Sequence, residues 1–214
     1  MLSGFIIKKG SMEKYFLDNG TQITVTHCQA NPLTVTQVKT DEKDGYQSVQ
    51  VAYGSRKRLD KPTLGKMKKL ALDLTPKGFL EFKATADAST SAPITVGSQV
   101  TIDTVVSEGD RVDVTGTSKG HGYSGVIKRY GFHRQPVSGG QSDRTRAPGA
   151  IGAQTPGKVV RGKKMPGHYG NVTHTVTNLQ IVKINKDASE ILISGSIPGS
   201  RNAWVIIKKS YHEN

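Results

Sequence analysis

The stretch from Val112 to Asn171 carries ten Lys and Arg residues against two carboxylates, Asp113 and Asp143, and glycine punctuates it throughout. The cations are Lys119, Lys128, Arg129, Arg134, Arg144, Arg146, Lys158, Arg161, Lys163 and Lys164. Crowded like charge opposes compaction, so an enzyme core rarely holds such a run. It suits a segment that lies against an external polyanion. This one stretch supplies most of the chain's formal net charge of +13.

On both sides of it the pattern is that of short β-strands. Gly4 to Ile7, Gln22 to Cys28, Leu33 to Val38 and Ser48 to Ala52 alternate or are β-branched, with Asp18-Asn19-Gly20 and Asp44-Gly45 as turn signals. Alternation resumes around Ile94 to Val96, Val100 to Val106 and Arg111 to Gly116, and again from Val172 to the end as a hairpin and a closing strand. Between Arg56 and Phe82, Leu64, Met67, Leu70, Ala71 and Leu74 recur at helical spacing before Pro76 stops them. The expected class is therefore mainly β: a closed barrel, discontinuous in sequence, over residues 1–55, 94–116 and 172–214, since closure protects strand edges. A helical insertion is expected at 56–93 and an extended basic arm without sheet partners at 117–171. So long a loop needs something to order it, and nucleic acid meets that need.

Composition removes several function classes. With 214 residues the chain can bury a real core, yet 35% apolar content, 6% aromatic content and 24 glycines imply that part of it does not. No apolar run approaches the roughly 18 to 20 residues of a membrane span. The opening MLSGFIIKKG has too short an apolar patch for a signal peptide. The single cysteine, Cys28, forbids an internal disulfide and, in ITVTHCQA, reads as a small buried residue. A cytoplasmic location is expected. His27, His121, His133, His168, His174 and His212 lack cysteines or carboxylates at metal-ligand spacing, so no metal is expected, and no catalytic set of Ser, His and acid can be assembled.

Two glycine motifs invite a nucleotide and fail. Gly120-His-Gly-Tyr-Ser-Gly125 matches the dinucleotide fingerprint, but Val126 to Tyr130 is too short and basic for the required helix and no acid follows at the ribose position. Gly152 to Lys158 resembles a phosphate loop, but Val159 stands where Ser or Thr must bind magnesium, and Pro156 removes a backbone donor. No cofactor and no small-molecule substrate are expected.

RNA is the partner that the residues fit. Glycines such as Gly116, Gly120, Gly157 and Gly167 allow close approach of backbone to phosphate. Lys and Arg neutralise phosphates, and Arg can also bond bidentately or stack. The candidate RNA-binding residues are Lys119, His121, Tyr123, Lys128, Arg129, Arg134, Arg144, Arg146, Gln154, Lys158, Arg161, Lys163, Lys164 and His168. Tyr123 and Tyr169 are candidates for stacking on unpaired bases, whereas Tyr130 and Phe132 suit anchoring of the arm's root.

The chain resembles the bacterial-type large-subunit ribosomal protein L-three family nearly end to end. The resemblance is carried by Val112-Asp-Val-Thr-Gly-Thr-Ser-Lys-Gly120 with Gly125-Val-Ile-Lys-Arg129, by Arg146-Ala-Pro-Gly-Ala-Ile-Gly152, and by Gln154-Thr-Pro-Gly-Lys158 with Gly162-Lys-Lys-Met-Pro-Gly167. It implies a translation-factor-like barrel, and a loop reaching toward the peptidyl-transferase centre of the large (50S) subunit. It also implies direct binding near the 3′ end of 23S rRNA and early action in subunit assembly. It further implies contact with ribosomal proteins L-fourteen and L-nineteen, and makes Gln154 a candidate N-methylglutamine, the work of a glutamine methyltransferase. Ser11-Met12 departs from the family's Gly-Met, and Gly139 and Thr145 stand where histidines are common. The stretch from Gly152 to Gln154 is one residue shorter than in some relatives, so no contact is carried over to Gly139, Thr145 or Ala153. The alternative is an RNA-binding assembly or translation factor that meets the ribosome transiently.

Overall fold

A computed structural model describes residues 2–83 and 94–210. Part of the expected helical insertion (84–93) and the last four residues, His212 among them, lie outside that description. In chain order the elements are β1 (Gly4–Phe16), β2 (Gln22–Gln29), β3 (Leu33–Lys39), α1 (Asp41–Asp44), β4 (Ser48–Tyr53), α2 (Lys61–Lys69), β5 (Gly78–Phe82), β6 (Gln99–Val100), β7 (Arg111–Thr117), β8 (Gly122–Ser124), α3 (Val126–Tyr130), β9 (Gly167–Tyr169), β10 (Thr173–Asn185), β11 (Glu190–Ser194) and β12 (Trp204–Lys209). The protein is mainly β. It divides into two compact units, one of residues 2–117 and 173–210, the other Ser118–Val172.

In the larger unit, six strands pair around a closed ring, β1-β12-β7-β10-β11-β2, every ladder antiparallel. Alternation makes the ring's core: Val112 and Val114 of β7, Ile191 and Ile193 of β11, and Val205 and Ile207 of β12 are buried while their neighbours are not. Each such side chain removed from water is worth about 1.5–3 kcal/mol. Register shifts between Lys9 and Met12, Val176 and Leu179, and Ile181 and Lys183 bend the strands where the ring must turn. β10 is long enough to pair with β7 in its first half and β11 in its second.

Beside the ring lies a four-stranded sheet, β5-β4-β3-β6, whose Leu33, Val35, Val49, Val51 and Phe82 join the same hydrophobic cluster as Phe5 and Ile7. Here the sequence expectation needs correction. β3 and β4, assigned to the barrel within 1–55, belong to this second sheet, because their ladder partners are each other, β5 and β6. Among its described residues the 56–93 insertion is helical only at α2, which starts beside Pro62 and buries Met67 alone of its own side chains. Its residues Gly78–Phe82 form β5 on the edge of β4. Val100 to Val106 is not one strand: β6 stops at Val100, and Ile102–Thr104 is a 3-10 turn. Cys28 is buried on β2 as expected, and burial pushes its thiol pKa up to about 12, which leaves it unreactive.

Candidate rRNA interface

The smaller unit begins and ends on two neighbouring strands, since Thr117 of β7 pairs with Thr173 of β10. Immediately inside, the Ser118 amide donates to the Val172 carbonyl at 2.9 Å, and the Val172 amide donates to Ser118 Oγ at 3.3 Å. No local pattern signals this double bond, because its partners are 54 residues apart. Next, β8 and β9 pair with register Gly122↔Tyr169, Tyr123↔His168 and Ser124↔Gly167. The expectation of an arm without sheet partners is thus corrected at its root. The glycines explain why the pair closes: Gly170 has φ +73, and a Cβ there would overlap the Lys119 carbonyl.

After β8, Gly125 caps α3, which ends after Tyr130 where Gly131 turns left-handed. Five residues of helix are too few for the dinucleotide fingerprint, in keeping with its rejection. Arg129 of α3 turns back onto the unit itself: it donates from a guanidinium nitrogen to the Met165 carbonyl at 2.8 Å and lies 5.0 Å over the Tyr130 ring. Lys164 approaches the same ring at 5.7 Å, and Phe132 lies 6.3 Å away. Tyr169 stacks on His121, centroids 4.9 Å apart and planes 20° from parallel. The root therefore has its own frame of paired strands, one helical turn and stacked rings.

From Gly131 to Pro166 no helix or strand forms. Isolated backbone bonds hold this tip, such as the Gln135 amide on the Thr145 carbonyl at 3.1 Å and, in a turn, the Gly157 amide on the Gln154 carbonyl at 3.0 Å. Gln154 and Lys158 sit on an open shelf of about 370 Å³ with Ile151 and Val159. Arg144 borders another hollow, of about 510 Å³, with Gln135 and Gln141.

The fourteen sequence-assigned residues sort clearly. Lys119, His121, Tyr123, Lys128, Arg134, Arg144, Arg146, Gln154, Lys158, Arg161, Lys163, Lys164 and His168 are exposed, and Tyr123 is 80% so. Arg129 is half-buried and its guanidinium already serves Met165, so it positions the root. Among the described residues none of the unit's ten Lys and Arg forms an ion pair, and its one carboxylate, Asp143, has no cation partner. No three His, Cys, Asp or Glu side chains among the described residues gather as metal ligands. Chemically, the arrangement offers point charges, bidentate donors and exposed rings without an internal counter-ion, the inventory that contacts phosphate and splayed bases. Gly116, counted among glycines for RNA approach, instead sits inside the ring, where a Cβ would meet Val205 Cγ1 at 2.7 Å.

A family model described as ribosomal protein L3 matches residues 78–191, which take in the whole smaller unit. The chain is 41% identical over 213 residues to the large ribosomal subunit protein uL3 of Syntrophobacter fumaroxidans, with 98% of each chain covered. It is 39% identical over 213 residues to that of Dehalococcoides mccartyi, covering 98% of this chain and 99% of the relative. With the protein of the same description from Laribacter hongkongensis it shares 44% identity over 210 residues, covering 97% and 96%. The chain thus belongs to the ribosomal protein L3 family.

Proposed function

We propose that this protein is a structural constituent of the large ribosomal subunit, acts in the cytoplasm, and binds 23S rRNA directly near its 3′ end through residues 118–172. The observation that carries the reading is the set of ten Lys and Arg side chains in that unit with no ion pair among the described residues. Such charges are a standing cost that RNA phosphates relieve, with counterion release as the driving term. Ordering the tip between Gly131 and Pro166 costs on the order of 1 kcal/mol or more per residue. A densely charged RNA offsets that cost, which suits a protein that joins the subunit early in assembly, nucleates its folding and stays. The ring of six strands is the translation-factor-like barrel of this reading, with the tip directed toward the peptidyl-transferase centre and ribosomal proteins L-fourteen and L-nineteen as neighbours. The exposed Gln154 side chain, on a turn closed by its own carbonyl, suits a glutamine methyltransferase.

Sedimentation through a high-salt sucrose cushion tests the residence. Retention with large subunits at near one copy each is the expected result. Release into the supernatant would favour the transient factor instead. The contact itself is tested by Lys163→Glu with Lys164→Glu: weaker binding to 23S rRNA and a shallower salt dependence are expected. Unchanged salt-dependent binding would count against residues 118–172 as the principal contact.

A further inference from the structure

A groove of about 640 Å³ opens on the larger unit where β1, β2 and β12 approach the turn after β4. Strand register sets its floor: Lys8 opposes Trp204 across the β1/β12 ladder and Gln29 across the β1/β2 ladder, so the three share one face. Asn31, Asn202 and Lys77 stand on the rim, and no carboxylate lines it. Glu190, the next residue in the row beyond Gln29, falls outside the lining.

The indole is held in place. Tyr53 meets it edge-on at 5.1 Å and 63°, and Gly54, at φ +66, would with a Cβ press on Trp204 Cζ2 at 2.8 Å. Gly78 likewise leaves room for the Tyr53 hydroxyl, 2.8 Å from where its Cβ would be. Lys77 Nζ hovers 5.7 Å from the indole centre, and neither it nor Lys8 forms an ion pair among the described residues. A fixed, half-exposed indole, two unpaired ammonium groups and side-chain amides that can both donate and accept match the parts of one nucleotide: base face, phosphate and base edge.

We propose that this groove receives a single unpaired nucleotide of RNA, its base stacked on Trp204 and its phosphate held by Lys8 and Lys77. The exposed Lys77 side chain leaves the indole face as the base arrives. The inference rests on the rRNA-binding reading but assigns a contact outside residues 118–172.

Trp204 is the chain's one tryptophan, so its emission reports on this groove alone. The full-length protein is titrated with 23S rRNA while emission and filter retention of labelled RNA are followed together. Loss of most of the emission, with the midpoint of retention, is expected. Retention with unchanged emission overturns the groove and leaves the rRNA reading standing; no retention overturns the rRNA reading. AMP at the same concentration should not quench, and quenching by AMP alone would overturn the assignment to RNA. Trp204→Leu should weaken retention by about five- to hundred-fold. Lys8→Gln with Lys77→Gln keeps the indole and should lower the salt slope by about 1.5, an unchanged slope overturning the phosphate contacts.

Discussion

Residues 118–172 and the rest of the chain solve opposite problems. The larger unit places Phe5, Ile7, Val35, Ile181, Ile193 and Ile207 in one continuous core, and four of its Lys and Arg side chains pair with carboxylates among the described residues: Lys39 with Glu81, Arg56 with Asp60, Lys186 with Asp103 and Lys209 with Asp110. The smaller unit buries one apolar side chain, Val126, and pairs no charge among the described residues. Ten Lys and Arg less one Asp leave it at +9, so only +4 of the formal +13 falls to everything else. A chain can carry that density only where it is not also asked to build a core. The unit's order at its root comes from backbone bonds, stacked rings and two glycine-shaped turns.

The contrast is broken most directly by paired truncations. Ile207→Ala, at a fully buried site, should cost about 2–5 kcal/mol of unfolding free energy in urea. Val160→Ala, 62% exposed in the smaller unit, should stay within about 0.5 kcal/mol. Equal losses would mean that residues 118–172 own a core after all. Within the smaller unit, Arg129→Gln removes a charge-assisted bond to the Met165 carbonyl. That bond is worth about 1.5–3 kcal/mol locally. Hydrogen exchange should quicken at the amides of β9 and not in the larger unit, while Lys128→Gln, exposed beside it, should change neither. Quickened exchange throughout the larger unit would show that the root is not a separate frame. A smaller effect is expected from Lys158→Gln, which should reduce the salt slope of rRNA binding by about 0.7–0.9 with the melting temperature unmoved.

Much of this division is legible in the chain. Alternation of Val112 with Val114, Ile191 with Ile193 and Val205 with Ile207 states which face is inside, because a strand's period of two admits one solution. The poverty of acid after Asp113 marks the other unit. What stays hidden is long-range pairing. That β3 and β4 leave the ring for a second sheet depends on β5, whose GFLEF lies in a stretch dominated by helical spacing. β8 and β9 are three residues each and far apart, too short to carry a pattern of their own. Arg129 reads as one more cation in a basic run until the Met165 carbonyl is seen 2.8 Å from it. Composition identifies a charge and only geometry says whether it is spent internally.

The finest division is between charges that are paired and charges that are not, and acid separates them. Glu81 is held at a pKa of about 2, below its ordinary 4.5, chiefly by its bond to Lys39 and then by the Tyr46 hydroxyl, which donates to it at 2.9 Å. A carboxyl depressed by folding adds stability that is complete above its unfolded value and disappears as pH falls through its folded one. The wild-type protein should therefore lose this increment between about pH 4.5 and pH 2. Glu81→Gln should start slightly less stable at neutral pH and lose less over that window, read as urea midpoints against pH. Asp143→Asn, which removes a carboxylate with no cation partner among the described residues, is the unpaired control. Both sites bear a surface carboxylate, so if the two variants flatten the limb alike, the contrast is one of burial and not of pairing. If only Glu81→Gln does, the larger unit's acid sensitivity belongs to an ion pair of a kind that the smaller unit lacks.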